Sequence, residues 1–183
     1  MRYFKKLTGN TVYLSPMSPE DAETYIRWLN DPRTSDGLGS TGRGVFTVAD
    51  ERKWILEQAG PYQFAIVRLS DDVLLGNCGF NQIHQKNQNA EVGLFIGEET
   101  ERSKGYGAEA LELLLAYGFD ELNLNNIMLK VFSFNARAIA CYKKAGFREF
   151  GRRHQADFLH GAWQDDVYME ILRDEWRGQK SKA

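Results

Sequence analysis

Cysteine is scarce in this chain. Its 183 residues hold two, Cys78 and Cys141, and neither belongs to a C-x-x-C pair. That excludes the usual zinc and thioredoxin-like motifs and leaves no disulfide framework. Long apolar runs are missing too. No stretch approaches the roughly 18 to 20 residues that span a bilayer, and the opening MRYFKKLTGN lacks the apolar run of a signal peptide. An excess of one charge is also absent: the formal net charge is −2 and the pI about 6.0. Nucleic-acid-binding domains usually show a basic patch or a pI above about 9, so nucleic acid and membrane are both set aside as partners. The basic end, residues 177–182, reads as a frayed tail. There is no internal repeat, low-complexity stretch or linker. What is present is 43% hydrophobic and 13% aromatic residues, enough for a substantial core. The expectation is a cytoplasmic protein of a single domain, 1–183, with its core at about 10–173.

A short strand opens at Val12. Ser18-Pro19-Glu20-Asp21 reads as a helix start, with Ser to cap and Pro at the first helical position. Ala22, Tyr25, Ile26 and Leu29 follow as a helical stripe, and Asn30-Asp31-Pro32 stops it. Residues 33–44 read as a Gly- and Ser-rich loop. Thr47 can cap a second helix over 48–59. Strands follow at 64–69, 74–83 and 91–96, and their short connections imply antiparallel pairing. After a loop comes the strongest helix, with Leu111, Leu114, Leu115, Gly118, Phe119 and Leu122 on one face. Residues 127–132 alternate as a strand. Asn135 can cap a helix through Lys144, stopped by Gly146 with Phe147 just beyond. Two closing strands, 148–155 and 162–172, are joined by a turn near His160-Gly161. The fold class is α+β: a mixed, mostly antiparallel sheet flanked by helices.

The stretch from Leu94, Phe95 and Ile96 through Arg102, Ser103, Lys104, Gly105, Tyr106, Gly107 and Ala108 is strand, loop and helix start. Such a junction points free backbone N–H groups at one spot, and the helix dipole adds partial positive charge. Gly105 and Gly107 let a bulky anion approach the backbone. Arg102 and Lys104 add full positive charges. Local chemistry therefore suggests a phosphate site, with a plain glycine turn before a core helix as the alternative.

The pattern Arg102-x-x-Gly105-x-Gly107 after an apolar strand resembles the cofactor signature of the GNAT N-acetyltransferase superfamily. A second element, Asn135-x-x-Ala138-x-x-x-Tyr142-x-x-x-Gly146-Phe147, looks like that family's next motif and stands at the expected distance. The likeness extends from Val12 to about Leu172. The opening Trp28-Leu29-Asn30-Asp31-Pro32 is similar to the branch containing ribosomal-protein N-terminal, polyamine and amino-sugar acetyltransferases. One departure is visible. The link 97–101 is one residue longer than is common in that branch, and acidic. Its carboxylates are expected to point away from any diphosphate.

The resemblance implies acetyl-CoA as co-substrate and no metal, with the cofactor held in the splay between the fourth and fifth strands, 91–96 and 127–132. Leu94, Phe95 and Ile96 would pair with the pantetheine arm through their backbone. Residues 102–108 would meet the diphosphate, and Asn135 and Ala138 would contact the cofactor from the next helix start. Asn135 is also a plain helix cap. Tyr142 would be the general acid that meets the leaving thiolate, or a core aromatic. The acceptor amine must be neutral to attack, and a primary amine with pKa near 10.4 is mostly protonated at pH 7. Glu91 lies where several relatives carry the base; it reads equally as a solvent-facing strand residue. The implied reaction is direct attack of an amine on bound acetyl-CoA. The acceptor is a small molecule or peptide: a protein N-terminus, a polyamine or an amino sugar. Dimers are common among relatives, so a homodimer is open. A non-catalytic acyl-CoA sensor or scaffold on the same fold is the alternative.

Gly37-Leu38-Gly39-Ser40-Thr41-Gly42 spells G-x-G-x-x-G, but it follows a helix end rather than a strand, so the dinucleotide reading fails. A mobile loop near the acceptor is expected instead. His84, His154 and His160 lack metal-ligand spacing. Asp157, Asp165 and Asp166 could hold a cationic amine or be solvated turn acids.

Overall fold

The computed structural model describes residues 2–39 and 41–180. Among the described residues eight strands form: β1 (Leu7–Thr8), β2 (Val12–Pro16), β3 (Gln63–Arg68), β4 (Leu74–His84), β5 (Asn89–Ile96), β6 (Asn126–Phe132), β7 (Arg148–Leu159) and β8 (Ala162–Leu172). Their hydrogen-bonded order is β1-β2-β3-β4-β5-β6-β8-β7. The ladders β1/β2, β2/β3, β3/β4, β6/β8 and β7/β8 are antiparallel, and β5/β6 is parallel. This is the mixed, mostly antiparallel open sheet expected. By compactness the chain divides into two units, each assembled from two segments: Met1–Gly79 with Leu94–Leu114, and Phe80–Gly93 with Leu115–Ala183.

In the first unit, α1 (Ala22–Leu29) turns Ala22, Tyr25, Trp28 and Leu29 inward. Ala22, Tyr25 and Leu29 of the expected stripe are buried, Ile26 is only half-buried, and Trp28 is buried with them. Tyr25 and Trp28 meet edge-on at 5.6 Å, and Phe95 of β5 packs on both. α3 (Val48–Glu57) starts at Thr47 in a capping box with Asp50 and buries Ile55. The expected loop at 33–44 is corrected in part. Asp31-Pro32 ends α1 and at once starts a short helix, α2 (Pro32–Ser35), because Asp31 accepts from the Arg33 N–H at 3.0 Å and Pro suits the first turn. Single 3₁₀ turns follow at Asp36–Leu38 and Thr41–Arg43. Ser40, inside the G-x-G-x-x-G letters, lies outside the described residues. The helix α4 (Tyr106–Ala116) begins in this unit and buries Ala110, Leu111 and Leu114 there. Its Glu109 accepts hydrogen bonds from the β1–β2 turn at Asn10 and Thr11, which anchors the helix start.

In the second unit, Ile127, Leu129 and Val131 of β6 are buried, as their alternation requires. They lie opposite Ile171, Met169 and Val167 of β8. After α4 the helix widens into a π turn at Tyr117–Glu121, where Gly118 sits against Phe80 and Ile127 too closely for a side chain. α5 (Ala136–Lys144) ends before Gly146, whose φ of +97° suits glycine. The basic end is corrected: Arg173–Lys180 forms a helix, α6, and is no frayed tail. Trp176 is buried against Phe119 at 5.2 Å. Arg177 pairs with Asp120 at 3.1 Å, and the Lys180 ammonium lies 4.3 Å from the Trp176 ring centre. Lys182 lies outside the described residues. Among the described residues no helix is long and apolar enough to cross a membrane.

Candidate active site

In the first unit β5 runs into the loop that precedes α4. Leu94 and Ile96 turn toward α4, where a methyl at Gly107 would meet them at 3.4 and 3.6 Å. Phe95 turns the other way, onto Tyr25 and Trp28. Two of the loop's three acids, Glu98 and Glu101, are drawn onto the protein's own donors, and Glu99 is exposed. Glu98 accepts from Arg27 at 2.6 Å and from the Trp28 indole at 2.9 Å. Glu101 accepts from Arg68 at 3.0 Å and from Lys104 at 3.1 Å. Glu98 and Glu101 in the link before Arg102 are therefore neutralised locally.

Arg102 does something the sequence did not announce. Its guanidinium donates to the carbonyls of Ile96 at 3.0 Å, Gly97 at 3.1 Å and Arg33 at 3.2 Å. The Thr34 hydroxyl donates to the same Gly97 carbonyl at 3.1 Å. The Arg102 N–H closes the preceding turn on Glu99. Arg102 thus ties the strand end to α2, and its charge serves three backbone carbonyls.

Beyond Arg102 the backbone changes hand. Ser103 has φ of +63° and Gly105 of +94°. Positive-φ residues at a turn can aim neighbouring N–H groups toward one concave side, an anion-binding shape. Nothing lies within 4 Å of where a Gly105 side chain would begin. The bond closing onto the loop here runs from the Glu109 N–H to the Gly105 carbonyl at 3.0 Å. The N–H groups of Tyr106, Gly107 and Ala108 therefore precede the helical ladder, and the dipole's positive end adds to them. Donors, open space and a left-handed glycine fit a diphosphate.

The second unit carries the other motif. Asn135 caps α5, its side chain accepting from the Ala138 N–H at 3.1 Å. Tyr142 follows on that helix, half-buried, with Phe147 at 6.0 Å. Burial, with a smaller contribution from Cys141, pushes its hydroxyl up to about 12. The phenol therefore keeps its proton throughout the neutral range. Glu91 is half-buried and stands opposite Met128 at the end of the parallel β5/β6 ladder, which joins Asn89–Glu91 to Asn126–Met128. Cys78 and Cys141 are both free.

The closing acids behave unlike one another. Asp165 is held by the Gln155 N–H at 2.9 Å, His154 at 3.2 Å and Arg152 at 3.5 Å, and those bonds, the backbone one foremost, lower its pKa. It is committed within the hairpin. Asp166 is buried and paired with Lys130 at 3.3 Å. No group of three His, Cys, Asp or Glu side chains could hold a metal among the described residues. Sequence reasoning passed over Glu51, a buried acid on α3. Its signal was available: it stands four residues before Ile55, on the stripe that α3 buries.

The acetyltransferase (GNAT) domain family matches residues 11–148. The chain is 31% identical over 178 residues to Bacillus subtilis "Probable N-acetyltransferase YjcK", covering 92% of this chain and 98% of that protein. It is 28% identical over 183 residues to "Uncharacterized N-acetyltransferase p20" of Bacillus licheniformis, covering 96% and 98%. Among solved structures, a Vibrio cholerae spermidine N-acetyltransferase in complex with CoA and spermine superposes with a TM-score of 0.80 at 22% identity, over 92% of this chain and 99% of that one. The chain belongs to the GNAT acetyltransferase family. It is an acetyltransferase, of a fold that uses acetyl-CoA.

Proposed function

We propose that this protein transfers the acetyl group of acetyl-CoA to a primary amine by direct attack, without a covalent enzyme intermediate. The observation that carries the reading is the run of backbone N–H groups over residues 103–108, set by left-handed Ser103 and Gly105 beside a loop whose Glu98 and Glu101 are paired within the protein. The backbone of Leu94, Phe95 and Ile96 extends this site along the pantetheine arm. Arg102 and Lys104 shape the loop rather than present bare charge. Asn135 and Ala138 open the helix that carries Tyr142.

Magnitudes sharpen the role of Tyr142. A phenol near pKa 12 facing a thiol at its reference value of about 8.5 would lose about 5 kcal/mol on full proton transfer. Tyr142 therefore acts as a hydrogen-bond donor that strengthens as charge grows on the departing sulfur. Glu91 takes the proton that the neutral amine nitrogen sheds as its bond to the acetyl carbon forms, directly or through water. Cys141 has its thiol pushed up, chiefly by burial, which disfavours a thiolate nucleophile.

Calorimetric titration with acetyl-CoA, paired with thiol release across peptides, polyamines and amino sugars, tests the reading. Binding with release on at least one amine is the expected result. Binding without release on any of them would make the chain a sensor. Tyr142→Phe is expected to lower kcat about a hundredfold with acetyl-CoA affinity unchanged, and Glu91→Gln to lower kcat and change the pH–rate profile. Unaltered turnover or profile would take the residue concerned out of the mechanism.

A further inference from the structure

The link before the cradle is tied to α1 and α2 at several points. The Trp28 indole and the Arg27 guanidinium both donate to Glu98, at 2.9 and 2.6 Å. A side chain at Gly97 would overlap the Trp28 ring. The Gly97 carbonyl accepts from the Thr34 hydroxyl and from Arg102, each at 3.1 Å, and Arg102 reaches on to the Arg33 carbonyl at 3.2 Å. α2 has four residues, too few to stand alone, and the last carbonyls of a helix have no partner within it. The Arg33 carbonyl is one of these. The Arg33 side chain is occupied with Asp31 at 2.8 Å, so the two arginines meet through a carbonyl and not through their charges.

The other neighbour of Arg102 is the cradle itself. The Arg102 backbone is extended, with φ of −74° and ψ of 157°, and Ser103 follows at once with φ of +63°. A non-glycine residue at positive φ is uncommon and persists only where its surroundings hold it. An anion on the N–H groups of 103–108 supplies such a hold. Fixing Ser103 fixes the Cα of Arg102, and with it the reach of the guanidinium to Gly97 and Arg33. Past α2 the chain between Asn30 and Phe46 is closed at its base. The Asn30 side chain donates to the Phe46 carbonyl at 2.9 Å and accepts from the Phe46 N–H at 3.3 Å. The far limb of this loop rests on α2, because a side chain at Gly42 would collide with the Ser35 carbonyl. Thr34 and Ser35 are buried beneath it.

We propose that Arg102 is a positioning residue that couples occupancy of the cradle to the order of the loop between Asn30 and Phe46. The inference rests on the acetyl-CoA reading above and gives that site a strap. The path is continuous: Ser103, the Arg102 guanidinium, the carbonyls of Gly97 and Arg33, then Ser35 and Gly42. A charge-assisted hydrogen bond limits such a coupling to about ten- to a hundredfold. The coupling is reciprocal, so a loop held on α2 also presents a better-formed cradle.

The test measures hydrogen–deuterium exchange with and without saturating CoA on the wild-type chain, Arg102→Met and Thr34→Val, with thermal melting of each. In the wild type, CoA is expected to slow exchange at 103–108 and, about tenfold, over 33–45. Arg102→Met is expected to keep the slowing at 103–108 and lose it over 33–45. Thr34→Val loosens α2 with Arg102 in place. Exchange over 33–45 should rise with and without CoA, and the slowing that CoA brings should persist. A wild type slowed only at 103–108, a slowing over 33–45 that survives Arg102→Met, or one that Thr34→Val abolishes as fully would each overturn the coupling. Should Arg102→Met fail to fold, Arg102→Lys decides. Its single nitrogen lacks the guanidinium fork, so most of the slowing over 33–45 should be lost, and full retention overturns the proposal. Absence of slowing at 103–108 in the wild type is the separate failure of the acetyl-CoA reading, and the coupling falls with it.

Discussion

The first turn of α5 is closed by its own side chain, Asn135 accepting from the Ala138 N–H. The first turn of α4 is preceded by Gly105, which has no side chain to offer, and the nearest acid within that turn, Glu109, is spent on the β1–β2 turn. Both helices face the same problem, since the opening N–H groups of any helix lack partners within it. One solves it internally, for stability. The other leaves its donors turned out beside a left-handed glycine, for a ligand. The contrast teaches that a motif can name two helix starts without saying which one binds and which one only holds.

Substitutions at these two starts break or sharpen that contrast. Gly105→Val forces a β-branched residue toward φ of +94° and should redirect the donors. About a hundredfold loss of acetyl-CoA affinity is expected by calorimetry, and retention of affinity would show that the cradle does not depend on this turn. Gly107→Ala is milder. A methyl there meets Leu94 and Ile96 at ordinary contact distance and suits a helix by about 0.5–1 kcal/mol. The melting temperature should hold or rise while affinity falls about tenfold; unchanged affinity would mean the ligand does not approach this backbone. Asn135→Ala should cost about 1 kcal/mol of stability through loss of the cap, with a small effect on acetyl-CoA binding. A loss of affinity as large as that of Gly107→Ala would erase the distinction between the two helices.

Periodic elements were legible because burial imposes a repeat on them. The α4 stripe through Leu111 and Leu114, the alternation of Ile127, Leu129 and Val131, and the stop at Gly146 all stand where the letters put them. Elements too short to repeat were not. β1 is two residues long, and α2 is four residues behind a proline that reads first as a stop. The α6 helix was hidden by its charge, since Trp176 alone carries its burial. In the candidate site, the order and spacing of the two motifs and the capping role of Asn135 were legible.

Composition and spacing along the chain settle where donors and glycines occur, because backbone conformation and helix starts are local properties. Which charges remain free is not local. Arg102 looks like a phosphate ligand in the sequence, yet it spends its guanidinium on the carbonyls of Ile96, Gly97 and Arg33. Glu51 looks like a surface helix residue, yet packing buries it. Partners for a charge come from segments distant along the chain, Arg33 for Arg102 and Arg68 for Glu101. Only the folded arrangement decides which of them is paired and which is left for a ligand.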